Sequence, residues 1–520
     1  MGKHVVDDVV AWRRRTRRLC VAALIVVGFV ATAAHSAKLA AAPVSTDDVA
    51  EANPAMDSAE ELAKTQELQA AIARFGQRDF QGTLDALKAA VAKRPELGQP
   101  LVLRARMFLL NNDLANARGD LEAVIREAPE DPEAYLLLGD LAFTDGRFTE
   151  CGLLFDKATQ IVEAFDGDAK RKQKSQSRVF AGKAALAETR GDWKQAQGFL
   201  DQWLALDSQD SNAHARMGRV LFELNQPEEA LKEFEIAEQN APPERRERFT
   251  PAPVALARLY DQRKDRDKAN QWKDYAVAKR GGDVKTWLAL ARWLWDTGRF
   301  EESRTHADKA IELDPKSVDG NLLRGVIARF EQQPADAEKF LEAAYFSSPS
   351  HFQISNQLAL VLAEQADPQK KKRAGELAAV NLQRLPRSPE ALATMGWVMY
   401  LAGEKGEAEK HLGRARAATG GRITPDLAFY MATVFRDKKE ARLARDLVDT
   451  ALKQSATVPF VYRPQAEKLL AELEQVAPKG ATPAAEGETA AEGTTPDAKE
   501  EPTPQRIKPA PRSAPAPKDE

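Results

Sequence analysis

The chain has 520 residues, with 75 Lys and Arg against 78 Asp and Glu, a formal net charge of -3. That balance removes any global electrostatic case for nucleic acid, and the length exceeds what one compact core holds, so several domains or a repeat array is expected. The two cysteines, Cys20 and Cys151, are too few for a disulfide framework, and neither has a second thiol at metal-ligand spacing.

At the amino terminus Arg13, Arg14, Arg15, Arg17 and Arg18 precede an uncharged apolar run from Leu19 to Ala34, which the small residues Ser36 and Ala37 follow. This is the order of a secretory signal. The run is shorter than the roughly 20 residues of a typical spanning helix. Its lead-in, which includes Asp7 and Asp8, is nevertheless long for a cleaved peptide. Residues 1–36 are therefore read as a signal peptide or a retained membrane anchor, and both alternatives stay open. In either case the arginines remain cytoplasmic and the acidic residues that follow are translocated. The bulk of the protein is expected outside the cytoplasm, in the periplasm of a bacterium, joined to its N-terminal segment by a linker over 37–63. Cys20 stands at the start of the apolar run, where a lipid-modified cysteine would stand at its end.

From residue 64 to 456 a small residue recurs on one predicted helix: Thr83, Ala117, Cys151, Ala196, Ala230, Ala269, Ser303, Ala337, Ala374, Ala408 and Ala444. Most steps are 34 residues, with longer ones of 45 after Cys151 and 39 after Ala230. Twelve residues upstream lies a second small residue, Ala71, Ala105, Gly139, Ala184, Gly218, Ala257, Ala291, Gly325, Gly396 or Ala432; only Ala359, fifteen before Ala374, is out of step. Small side chains at matched positions let two helices approach closely. A third small position seven residues further on extends the contact, except at Trp203 and Asn381, where looser packing is expected. Phe155, Phe234, Leu87, Leu121, Leu200, Leu341 and Leu412 fill the remaining space, and Pro95, Pro129, Pro242, Pro315, Pro349 and Pro386 end the second helix of their repeats.

This pattern resembles the tetratricopeptide repeat family, whose period is about 34 residues with small, aromatic and proline positions in this order. Ala134 to Ile161 and Thr286 to Pro315 fit it at nearly every position. The resemblance implies an all-α fold: a right-handed superhelical solenoid of about eleven helix pairs, each covering apolar surface that its neighbour leaves open. It also implies that the first helix of each pair lines a concave wall that binds protein or peptide. The extra residues Gly167 to Ser177 are basic and polar and are read as an exposed loop in preference to a helix extension. The prolines between Pro242 and Pro253 forbid a regular helix there. Residues 457–477 read as an amphipathic capping helix, and residues 478–520, rich in Pro, Ala and Glu with Ile507 as the one bulky apolar residue, as a disordered tail.

No catalytic constellation appears. The six histidines stand alone, and the nearest approach to a phosphate loop, Gly281 to Trp287, lacks the glycine before the lysine that a phosphate cradle needs. No enzyme activity, cofactor or metal is expected. Carrying the family's inward positions across gives Arg219, Arg258 and Arg292, one residue beyond the small positions of three consecutive repeats. Four beyond the small positions lie Phe222, Asp261, Trp295 and, in the next repeat, Arg329. A neighbouring wall carries Trp397, Tyr400 and Phe429. Guanidinium groups bind carboxylates through paired donors, so the surface suits an extended segment with acidic and apolar residues. The plainer alternative is that each arginine pairs with a glutamate of the adjacent repeat. The resulting expectation is a protein-binding scaffold at the cell envelope, or an accessory subunit of an extracytoplasmic enzyme or of a polymer export or secretion system.

Overall fold

The computed structural model describes residues 68–243, 245–246, 249–420, 422–455 and 459–476. The expected signal or anchor, most of the linker and the expected tail lie outside these. Among the described residues no helix is long and apolar enough to cross a membrane; the apolar run 19–34 is not among them.

The described chain is helical throughout its regular structure. Eleven pairs follow one another: α1 (Gln69–Gly76) with α2 (Phe80–Lys93), α3 (Pro100–Leu110) with α4 (Leu114–Glu127), α5 (Pro132–Thr144) with α6 (Phe148–Ala164), α7 (Ala169–Arg190) with α8 (Trp193–Leu206), α9 (Ser211–Glu223) with α10 (Pro227–Asn240) and α11 (Ala252–Gln262) with α12 (Arg266–Arg280). They continue as α13 (Val284–Asp296) with α14 (Phe300–Leu313), α15 (Val318–Phe330) with α16 (Pro334–Ser347), α17 (Phe352–Ala363) with α18 (Pro368–Arg384), α19 (Pro389–Leu401) with α20 (Lys405–Ala418) and α21 (Pro425–Asp437) with α22 (Ala441–Gln454), closed by α23 (Arg463–Val476). The six prolines expected to end second helices each stand two residues beyond the last helical residue, as at Lys93 and Pro95.

The eleven small residues of the second helices are all 0% exposed, from Thr83 to Ala444. The contact is close enough for the Ser303 hydroxyl to donate across it to the Ala291 carbonyl at 2.8 Å. Size is traded in the pairs that carry glycine. A methyl group added to Gly218 would lie 2.8 Å from the Phe234 ring, and one added to Gly325 would lie 2.6 Å from Leu341 Cγ, so glycine stands where the residue sixteen further on is large. Trp203 and Asn381, where looser packing is expected, are instead buried at 6% and 2% exposure. Asn381 replaces the methyl contact with a hydrogen bond from Ser355 at 2.7 Å.

The turn inside each pair has its own rule. Seven residues past the small position of the first helix the backbone is left-handed, at Arg78, Asn112, Gly146, Gly191, Asn225, Lys264, Gly298, Gln332, Gly403 and Lys439. Such a residue closes the first helix and turns the chain back within two residues. Six of these ten are not glycine, at a cost of order 1 kcal/mol each that the stacked helices must absorb. In four of the ten an aspartate at the next position caps the second helix, with Asp79 accepting from the Gly82 amide at 2.8 Å and Asp192 from that of Gln195 at 3.1 Å. The ninth pair, which carries the displaced Ala359, has no left-handed residue between α17 and α18.

One expectation is overturned. Gly167 to Ser177 is not an exposed loop: from Ala169 it forms the first turns of the 22-residue α7. Asp168 caps that helix by accepting from the Arg171 amide at 2.8 Å, and Arg171 reaches Asp131 at 2.5 Å, so its basic residues propagate a helix and anchor it to the preceding repeat. The proline-rich insertion does lack a regular helix, and its Phe249 tucks against Ala215, Ala237 and Ala241.

Because the close contact at Ala230 has no spare room, Ala230→Leu should destabilise the protein by about 1–3 kcal/mol in a urea melt. The exposed Lys232, two residues along, should tolerate alanine within about 0.5 kcal/mol. Equal effects at the two positions would mean that the buried face of α10 has been misassigned.

Candidate functional site: the wall of first helices

First helices of neighbouring repeats touch directly, as α5 with α7, α11 with α13, and each of α13, α15, α17 and α19 with the next. Stacking on this side makes it the tighter, inner wall of the array. Side chains there sit either in the core or on a shared surface, and the two cases divide the predicted residues.

Arg219 is half-buried, its Nε buried without a hydrogen-bond partner among the described residues. Arg258 is half-buried and Arg292 exposed. Both act on Asp296, an exposed residue whose carboxylate partial desolvation pushes above its ordinary range while the two guanidinium groups pull it down. Asp296 was not singled out from sequence because it lies five residues past the small position, one beyond the inward positions considered. It ties two of the three arginines into one electrostatic unit. Asp261 accepts from the Trp293 indole at 3.2 Å.

Phe222 does not face a partner. It is 1% exposed, meets Tyr260 edge-on at 4.8 Å, and is capped by the Arg263 guanidinium 4.0 Å above its ring. Trp295 is half-buried in a turn cluster with Phe300 and Phe330, at centroid distances of 5.0 and 5.2 Å.

The remaining four predicted residues come together around an element that the sequence did not connect to them. Phe460, Val461 and Tyr462, just before α23, lie against the wall of repeats eight to eleven. The Tyr462 ring stacks on Phe429 at 5.0 Å. Its hydroxyl accepts from Arg329 and, at 2.9 Å, from Tyr430, and donates to Glu364, which uses its full bonding capacity. Gln332, in the turn of the eighth repeat, donates to the Val461 carbonyl at 2.8 Å and accepts from Gln465 at 3.0 Å, across 133 residues of sequence. Arg329, Trp397 and Phe429 are consequently buried, at 5, 6 and 5% exposure, and do not form the open aromatic and basic surface expected of them. Burial opposes the Arg329 charge, but Tyr462, Glu364 and Tyr430 keep it protonated. Trp397 is sandwiched between Tyr430 at 4.5 Å and Tyr400 at 5.2 Å, and the Tyr400 hydroxyl donates to Asp437 at 2.9 Å. Burial works against the Asp437 carboxylate, yet its bonds with Lys405, Arg436 and Tyr400 hold it at about 2.

Cys151 lies between helices at 0% exposure, and burial raises its thiol to about 11, so it is held as an unreactive thiol.

Tetratricopeptide repeat models match residues 103–169, 188–246 and 288–352, in phase with the helix pairs described above. These segments are tetratricopeptide repeats. Similar solved structures include a tetratricopeptide repeat protein from Parabacteroides merdae (10% identity, 57% of this chain and 98% of that one, TM-score 0.34). Yeast Tom70 is 11% identical over 80% of this chain and 96% of its own, with a TM-score of 0.31. The type IV pilus biogenesis factor PilW is 16% identical over 42% of this chain and 98% of its own, with a TM-score of 0.33. No curated protein matches the sequence.

In this tetratricopeptide array, Asp426 adds a carboxylate that acts on Tyr430 and Tyr462. Burial raises it above the ordinary carboxylate range, and Arg329 offsets part of this. A carboxyl with a raised folded pKa binds more protons folded than unfolded, so stability should fall as pH rises through that window. Asp426→Asn should remove part of that fall and raise the melting temperature at pH 7. An unchanged stability-against-pH curve between pH 4 and pH 7 would show that Asp426 is not strained by its surroundings.

Proposed function

We propose that the protein is a non-catalytic scaffold of the bacterial envelope, exported or membrane-anchored through residues 1–36, that binds an acidic segment of a partner protein along Arg219, Arg258 and Arg292. The observation that carries this reading is the strip itself: three guanidinium groups on consecutive first helices, one of them, Arg219, with a buried Nε that has no hydrogen-bond partner among the described residues, and two acting on the carboxylate of Asp296. A guanidinium that lacks a full set of acceptors gains most from an incoming carboxylate, which it can meet through two parallel hydrogen bonds. The tetratricopeptide fold supports a protein-interaction role in general; the secretory order of the N-terminal residues supports the location.

Two experiments test it. A reporter active only outside the cytoplasm, fused after Lys64, should give signal, and neutralising the five arginines before Leu19 should reduce it; signal from a reporter that works only in the cytoplasm would refute the location. Changing Arg219, Arg258 and Arg292 together to glutamine should leave the array folded, because glutamine keeps a donor at the two half-buried positions and the exposed pair of Arg292 with Asp296 contributes about 0–1 kcal/mol. The variant should bind labelled acidic peptides containing leucine and tryptophan about tenfold or more weakly, with a shallower salt dependence. Equal affinity and equal salt dependence in the two proteins would make the strip a structural feature.

A further inference from the structure

We propose that His214 is a proton-operated clasp at the junction of the fourth and fifth repeats: protonated, it holds the turn before α9 and the helix after α9 at once; neutral, it must release one of them. The ring stands in the first turn of α9 at 7% exposure, with Nε2 3.1 Å from the Ser208 carbonyl and Nδ1 2.6 Å from the Glu233 carboxylate of α10. The first of these contacts belongs to the repeat plan. Four residues before the small position of their own first helices, the Trp287 indole donates to the Gly281 carbonyl at 2.8 Å and the Asn321 amide to that of Pro315 at 3.0 Å. Each acceptor lies six residues upstream, as Ser208 does from His214. The position therefore requires a donor toward the turn, which in the fifth repeat is Nε2–H. A neutral imidazole has one N–H, so its other nitrogen would then set a lone pair against the Glu233 carboxylate. The imidazolium has two, and both acceptors are met.

The charges around the ring favour that second proton. Burial opposes it, but the bonds to Glu233 and Ser208 and the charges of Glu233 and Asp210 together raise the His214 pKa above its ordinary value. Asp210 caps α9 by accepting from the Asn212 and Ala213 amides at 2.9 and 3.0 Å. Asp207 acts in turn on Asp210, and Glu233 on Asp201 of α8, so carboxylates from three elements share the field. Cations of the neighbouring elements answer other partners: Arg216 of α9 pairs with Glu188 of α7 at 2.8 Å, and Arg280 of α12 with Glu238 of α10 at 2.6 Å. Burial alone does not produce this state in the array, since His306 and His411 are lowered by it. A histidine whose folded pKa is raised stabilises fully below its unfolded value of about 6.5 and loses that contribution as pH rises through the folded value. The junction is therefore firm in mildly acidic solution and loosens as the pH rises.

The test uses the full chain and reads two quantities. Histidine C2 hydrogen exchange followed by mass spectrometry reports the titration of each ring; it should place His214 above the ordinary histidine value, and Glu233→Gln should lower it, because burial then acts without the carboxylate. Amide protection factors, which are free of the intrinsic pH dependence of exchange, should fall about tenfold or more over the 207–210 turn and α9 between pH 6 and pH 9, as the loss of one hydrogen bond to a charged group implies. His214→Gln keeps a donor for Ser208 and cannot titrate, so it should show no such fall. If that variant does not fold, Glu233→Gln supplies the comparison, with the fall moved to lower pH. A His214 pKa at or below the ordinary value, a pKa that Glu233→Gln leaves unchanged, or protection that falls equally in the unmodified chain and in the variant would each overturn the proposal.

Discussion

Two helices that meet through alanine and glycine can lie close together, but such a pair is too thin to bury its own apolar surface. Each pair leaves a face that only the next pair can cover, and the rest of the structure depends on where that face goes. Along the array it goes to the neighbour: the core is a series of local clusters, each drawn from adjacent repeats, in place of a single centre. Where the facing residue is a phenylalanine the first helix carries glycine, as at Gly139 and Gly218, while leucine faces either glycine or alanine, as at Gly325 and Ala71. The left-handed turn residues serve the same end, since a two-residue reversal is what brings the second helix back against the first.

At the carboxyl end no further pair exists among the described residues, and two elements cover the last face. Helix α23 lays Ala466, Leu469 and Leu473 against the final repeat. The three residues before it cross the inner wall and reach back to the eighth repeat through Tyr462 and Gln332. This is a long-range contact in an architecture otherwise built from neighbours. It couples repeats eight to eleven into one unit, while the earlier repeats keep their inner wall open, with Arg292 exposed and Arg219 and Arg258 half-buried. The array thus presents two different surfaces from one repeating plan: a basic strip in the middle and a self-occupied aromatic cleft near the end.

The period was legible in the sequence because a close helix contact tolerates only small residues, so Thr83 through Ala444 mark it without help from tertiary context. Pro95 and its five counterparts were legible for a similar reason, since proline ends a helix wherever it stands. The turn positions were not: Arg78, Lys264 and Lys439 carry no local preference for a left-handed backbone, and only the array's period imposes it on them. The extension of α7 was misread because a run of lysine, glutamine and arginine suggests solvation, although the same residues form helices readily once Asp168 caps the first turn. The three arginines stand on first helices and are half-buried or exposed, whereas Phe222, Arg329, Trp397 and Phe429, read onto the same wall, are covered. For Phe222 the cover is a neighbouring arginine; for the other three it comes from a segment some 30 to 130 residues away, a separation that no local pattern encodes.

A stack of small-residue helix contacts is closed at one end by its own chain, which converts the last four repeats into a cooperative unit. Native-state hydrogen exchange on the unmodified protein, followed across increasing denaturant, measures this directly, since segments that open together share one opening free energy. Helices α15, α17, α19, α21 and α23 should converge on a common opening energy, above that of α3 and α5 near the other end. Independent opening of α23, with α15 and α17 exchanging as though it were absent, would contradict it.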